Sequence, residues 1–396
     1  MKPHTFKSFF MACLLPVFLA TPAFAQYSAR RMGDVIQLEN TKSQIVVSIL
    51  PSVGNVAFEM KVKGENVLRW PYASVEEFRT RPALSGIPFL GPWANRLDEQ
   101  AFYANGKRYA FDMTLGNVRG AIPIHGFLSS TDQWQVVEVR NDGKSASVTS
   151  KLEFFRQPAW MKQFPFAHTI EMTHVLQDGV LEVRTKITNM SAEPMPLSIG
   201  FHPYYQLTDS PRDEWTISVP ARTWWTLAQN KVPTGATEPA EKLFPNPKVA
   251  VLKDYNLDDV FSDMLRDTQG VATVTLQGKR QRLDIALGPK WRSLVIYSPN
   301  TSNFICFEPM AGITNAMNLA QKGLYKELQS IEPGGVWQES FWMQKCQHCE
   351  SWNVRFFTPT RYADRAAVLL CMACRKLTIM PPHASHLAED RGSRAA

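Results

Sequence analysis

Cysteine is nearly missing from the long middle of this chain. Of six cysteines in 396 residues, Cys306 alone falls between residues 26 and 344; Cys13 lies near the N-terminus, and Cys346, Cys349, Cys371 and Cys374 follow residue 344. A body of this length with one thiol is not stapled by disulfides and has ample chain to bury a hydrophobic core instead. Excess charge is missing too. The formal +7 divides into +2 in residues 1–25, +4 in residues 345–396, where eight Lys or Arg face four Asp or Glu, and +1 across residues 26–344. A nearly neutral body lacks the clustered basic face that nucleic acid or an anionic membrane surface requires. Helical periodicity beyond a couple of turns, internal repeats and low-complexity segments are absent as well.

Long apolar runs occur only at the start. Lys2 and Lys7 precede an apolar run from Phe9 to Ala20, and Ala23-Phe24-Ala25 supplies a small-x-small cleavage signature. The run is too short to span a bilayer, so residues 1–25 are read as a cleaved secretory signal. A lipoprotein is the alternative, but Phe10-Met11-Ala12 before Cys13 matches a lipidation box poorly. No later segment reaches about 18 uninterrupted apolar residues. The mature protein is therefore expected to be periplasmic or secreted and to leave the membrane after cleavage.

What fills the body is strand and turn. Trp134 to Val139 leads through Asn141-Asp142-Gly143-Lys144 into Ser147 to Phe155; His168 to Leu176 turns at Gln177-Asp178-Gly179 and returns as Val180 to Thr188. Asp-Gly supplies the positive φ that tight hairpins need. Val271 to Leu276 and Leu283 to Leu287 repeat the device around Gln277-Gly278-Lys279, and Ser293 to Tyr297 and Phe304 to Phe307 follow as strands. The pattern predicts an all-β fold, one large antiparallel β-sandwich over residues 26–344. The prolines that punctuate the chain from Pro194 to Pro247 suit long loops around a pocket.

One strand ends differently from the rest. Phe304-Ile305-Cys306-Phe307 runs into Glu308 and then Pro309. Strands disfavour Glu and central ladders exclude Pro, so the acid is expected at a strand end where a loop opens into a pocket. On local sequence alone it is either a catalytic base or a strand-terminal acid paired with an Arg. Four other clusters carry chemistry: Asn95-Arg96 after Trp93; His125-Gly126; His202-Pro203 in Gly200-Phe201-His202-Pro203-Tyr204-Tyr205; and Asp258-Asp259. Each histidine alone reads as a packed side chain or as a catalyst. Together they match the needs of a sugar pocket: aromatic faces for the ring, Arg and Asn for hydroxyls, a His and a carboxylate for proton transfer.

In order and spelling these segments, with Ile331-Glu332-Pro333-Gly334-Gly335 before a last strand, resemble the aldose 1-epimerase (mutarotase) family from about Val35 to Gln344. The resemblance implies a galactose mutarotase-like supersandwich and a reaction on a small sugar that needs no cofactor. His202 would protonate the ring oxygen while Glu308 removes the anomeric proton. The ring opens to the aldehyde and recloses as the other anomer. His125 would support the ring oxygen or a neighbouring hydroxyl, and Arg96, Asp258 and Asn95 would hold hydroxyls. His125-Gly126-Phe127 is spelled more like the hexose-6-phosphate epimerase branch, whereas Gly200 to Tyr204 follows the aldose branch. The exported compartment favours a free sugar over a phosphate.

Residues 345–396 form a basic tail. Cys346-x-x-Cys349 and Cys371-x-x-Cys374 have four-thiolate zinc spacing, against which disulfides compete in an exported protein. A third reading, an accidental extension that is poorly ordered, agrees with the lack of clear periodicity from Glu350 to Ala396.

Overall fold

The structure, a computed structural model, describes residues 26–114 and 118–344 and, in backbone alone, Val354–Phe357, Val368–Cys371 and Leu377–Ile379. The signal reading (1–25) and Cys346, Cys349 and Cys374 lie outside the described residues, and Cys371 is placed by its main chain only. The tail is not without regular elements: its three strands pair antiparallel in chain order. Among the described residues no helix is long and apolar enough to cross a membrane.

Alternation writes the strands directly. Ala146–Glu153 buries every second residue, and Val180–Asn189 turns Leu181, Val183 and Ile187 inward, all at most 1% exposed. The turn before it is the expected two-residue one, with Asp178 at φ 48° and Gly179 at φ 84°. Those strands belong to a nine-stranded antiparallel sheet, with Val336–Gln344 and Arg282–Leu287 continuing it beyond Val180–Asn189. A five-stranded sheet is built from Tyr27–Met32 through Glu65–Asn66.

The third large sheet carries the site. In chain order its strands are β1 (Phe89–Leu90), β2 (Gly200–Phe201), β3 (Tyr204–Tyr205), β4 (Ala221–Leu227), β5 (Pro233–Pro239), β6 (Leu257–Met264), β7 (Ser293–Ser298) and β8 (Ile305–Met310). They lie side by side as β5-β4-β6-β7-β8-β2-β1, and β3 also pairs with β8. Pro233 and Pro239 sit in β5, an edge strand, where a missing N–H is tolerated. One face of the sheet joins the main core, in which Phe261, Leu294, Ile296, Ile305 and Phe307 meet Leu181, Val183, Leu283 and Phe341 of the nine-stranded sheet. The opposite face carries Glu308 and, through Val260, Val295 and Met310, packs partly against a second apolar cluster with Ile313, Leu319 and Tyr325.

Candidate active site

Glu308 is not at a strand end, as the sequence suggested. It sits inside β8, 1% exposed, with Pro309 and Met310 still in the ladder. The reason is a break in the neighbouring strand. Gly200 of β2 pairs with Met310 and Tyr204 of β3 pairs with Cys306, so the interrupted residues His202 and Pro203 lie opposite Glu308 and Phe307. Ala311 N donates to Ile199 O, so by the two-residue repeat the main chain of Pro309 faces the same broken side, and no regular ladder there needs its N–H.

Register then makes the site a grid on the face that carries Glu308. One row runs His202, Glu308, Val295, Val260; the next runs Tyr204, Cys306, Tyr297, Asp258. His202 and Glu308 are thus cross-strand neighbours, and His202 Nε2 lies 3.1 Å from Glu308 Oε1. Tyr204 stacks on the His202 ring at 4.8 Å and 13°, fixing the plane of the imidazole. Val295 and Val260, both buried, give the row an apolar floor.

Two loops close over this floor. Asn95 and His125 both adopt positive φ, 58° and 62°, and hold each other: His125 N donates to Asn95 O at 2.9 Å, and Asn95 N to His125 Nδ1 at 3.3 Å. His125 thereby stands 5.4 Å from His202, edge to face. Asn95, expected at a sugar hydroxyl, also braces its neighbour. Its Oδ1 accepts from Arg96 N and Nη1, at 2.9 and 3.1 Å, bracing the arginine. Arg96 in turn reaches Asp258 with two hydrogen bonds, 3.1 and 3.5 Å long. The acid pair divides by strand parity, since Asp259 points to the other face and accepts from Trp224 Nε1 at 2.9 Å. A cavity of about 180 Å³ adjoins His125, walled by Leu84, Ser85, Ser129 and Ser130.

Burial sets the protonation of the central pair. Desolvation pulls His202 down to about 3, and Arg96 opposes its protonation further. Desolvation also pushes Glu308 well up, with the nearby Asp258 charge adding to the rise. A free imidazolium is therefore not the resting form, contrary to an acid that titrates near neutrality. Both shifts favour the uncharged forms, and the two groups face each other across the 3.1 Å between His202 Nε2 and Glu308 Oε1. His202 Nδ1 and Glu308 Oε2 are buried with no hydrogen-bond partner among the described residues. Such orphans mark where a polar ligand belongs.

The arrangement is thus a buried acid-base couple on an apolar floor, flanked by an arginine-carboxylate fork and a second histidine. A family model for aldose 1-epimerase matches residues 34–344. The chain belongs to the aldose 1-epimerase family. Solved structures agree on the fold. A galactose mutarotase-like protein from Clostridium acetobutylicum is 22% identical, with 80% of this chain and 97% of that one covered, at a TM-score of 0.70. A Synechocystis protein (24%, 80% and 96% covered, 0.62) and galactose 1-epimerase from Lactobacillus acidophilus (17%, 80% and 97% covered, 0.62) share it.

Of the site residues named from sequence, His202, Glu308, His125, Arg96 and Asp258 come together, and Asn95 stands one step behind Arg96. Sequence reasoning did not single out Tyr297 or Arg69 at all. Tyr297 reaches the site by the alternation of β7, and Arg69 through an isolated bridge between Leu68 and Tyr205. No motif marks either. Among the described residues no three His, Cys, Asp or Glu side chains cluster as a metal site.

Proposed function

We propose that this chain is an exported aldose 1-epimerase that interconverts the anomers of a free aldose. The observation that carries the reading is the buried His202–Glu308 contact with one unsatisfied polar atom on each partner. A binding protein has no use for an acid and a base 3.1 Å apart, whose burial costs stability.

Ring opening needs one proton removed from the anomeric hydroxyl and one delivered to the ring oxygen. The arriving sugar inserts its hydroxyls beside the orphaned Nδ1 and Oε2, stabilising the charged form, and a proton passes from Glu308 to His202. The Glu308 carboxylate then takes the O1 proton as His202 protonates O5. The C1–O5 bond breaks and C1 becomes an aldehyde. After rotation about C1–C2, O5 attacks the other face of C1, His202 recovers the O5 proton and Glu308 returns its own to O1. Arg96 and Asp258 hold the hydroxyls on the C2–C3 side, and His125 supports the ring oxygen. Export rests on Lys2, Lys7 and the apolar run that follows.

The test is anomer exchange by polarimetry or magnetisation transfer for glucose, galactose, xylose and arabinose. Acceleration with any of them establishes turnover. A folded sample that binds sugar without exchange would leave a sugar-binding protein on the same fold.

The pH profile offers a sharper check. With His202 lowered to about 3 and Glu308 raised, His202 gains a proton only in strong acid and Glu308 loses its own only above the ordinary carboxylate range. As pH is lowered, kcat/KM should therefore show no fall near pH ~6.5, where a free imidazole titrates. A limb there would mean that His202 titrates alone.

A further inference from the structure

The face of the sheet that carries Glu308 also carries a cation that the proposed chemistry does not use. Leu68 bridges Tyr205 antiparallel, so Arg69 is the cross-strand partner of Tyr204, and Arg69 N donates to Tyr204 O at 2.9 Å. Partners in register point to the same face. The second row of the grid therefore extends to Arg69, Tyr204, Cys306, Tyr297 and Asp258, with Arg69 at the end opposite the Arg96–Asp258 fork. Its guanidinium lies 4.9 Å over the Phe304 ring, is half-buried, and has no ionic or hydrogen-bonding partner among the described residues.

Charge bookkeeping makes that cation conspicuous. Arg96 is paired with Asp258, and burial favours the uncharged forms of His202 and Glu308. Among the described residues of the two rows, Arg69 is the cation without a carboxylate partner. Its charge is felt at Tyr204 and Cys306, the two residues next to it in the row.

Direction decides what would meet it. A sugar with O1 at Glu308 and O5 at His202 runs from C1 to O5 along the same line of strands, from β8 towards β2 and β3. Continued by one strand spacing of about 4.8 Å, that line leads through C5 to C6 beyond His202, where Pro88 O accepts from His202 N. Arg69, the partner of Tyr204, stands at this end one row to the side, a diagonal that a side chain as long as arginine can span. The C2–C3 edge falls at the other end of the second row, at Asp258 and Arg96. Resting on the epimerase reading above, we infer that Arg69 binds an anionic group on C6 of the aldose, and that the preferred substrates are hexuronates. One guanidinium fork matches one carboxylate in both shape and charge, whereas a phosphate dianion would remain half unpaired.

The experiment compares anomer exchange of galacturonate and glucuronate with that of glucose, xylose and glucose 6-phosphate, in the wild type, Arg69→Gln and Arg69→Lys. The expected result is a kcat/KM for at least one uronate about 10-fold or more above that of glucose, carried mainly in KM and weakened by salt. Arg69→Gln should lose about 10- to 100-fold with the uronate and less than about twofold with glucose, as expected for one charge-assisted hydrogen-bonded pair. Arg69→Lys should restore part of that loss. Exchange of neutral sugars with no uronate preference would overturn the inference and leave the epimerase reading standing. A preference for glucose 6-phosphate would overturn the carboxylate assignment. Equal losses with uronate and glucose in Arg69→Gln would make Arg69 a structural residue and overturn it as well. No exchange with any sugar would remove the epimerase reading and this inference with it.

Discussion

Replacing Glu308 by Gln should lower anomer exchange by about 10²- to 10⁴-fold, the usual contribution of one positioned proton-transfer group. Gln is nearly isosteric with Glu, keeps an amide beside His202 and cannot accept the O1 proton. The same change should leave the fold as stable as before or more so at neutral pH. Glu308 has a folded-state pKa raised above its unfolded value by burial. Its contribution to stability is therefore fully present below the unfolded carboxylate pKa and is lost as pH rises towards the folded value. The uncharged amide of Glu308→Gln escapes that loss, so a thermal melt should show the variant gaining on wild type as pH rises above about 5, with the two converging below about pH 4. His202→Asn should reduce exchange by a comparable factor. A variant that keeps activity within a few-fold would remove Glu308 from the chemistry, whatever its stability.

Gly126→Ala should be the most damaging single methyl group in the site region. Gly126 has φ 58°, and a Cβ built there would stand 2.0 Å from Gly91 O and 2.5 Å from Gly91 C. The obstacle is backbone, and it cannot swing aside. Phe127 N and Leu128 N both donate to that same Gly91 carbonyl, so moving it breaks the link between the two loops that carry His125 and Arg96. Backbone strain and overpacking together predict a loss of about 3–5 kcal/mol in urea unfolding. Gly143→Ala provides the control. Its φ is 79° but nothing lies within 4 Å of the added methyl, so it should cost only about 1 kcal/mol of backbone strain. Equal losses at the two positions would show that the contact with Gly91 is not what decides.

Much of this was written in local sequence. The hairpin at Asp178-Gly179, the inward spacing of Leu181, Val183 and Ile187, and the absence of any long helix among the described residues all followed from a two-residue repeat and from which residues accept positive φ. The ordered motifs named the family and five residues that meet in the site. Local rules misplaced Glu308. A Glu-Pro pair looks like a strand end until the neighbouring strand is seen to be broken opposite it. Nor do local rules show that Asn95 Oδ1 accepts from Arg96, a contact that only packing reveals.

The sequence by itself determined the strands, the turns and the inventory of acid, base and hydroxyl-binding groups, since each depends on a residue and its near neighbours. The tertiary structure decided the register that sets His202 against Glu308, far apart in the chain, and Arg69 beside Tyr204. It also decided the protonation of the pair, because desolvation depends on everything packed around a group, and that is supplied by strands distant in the chain.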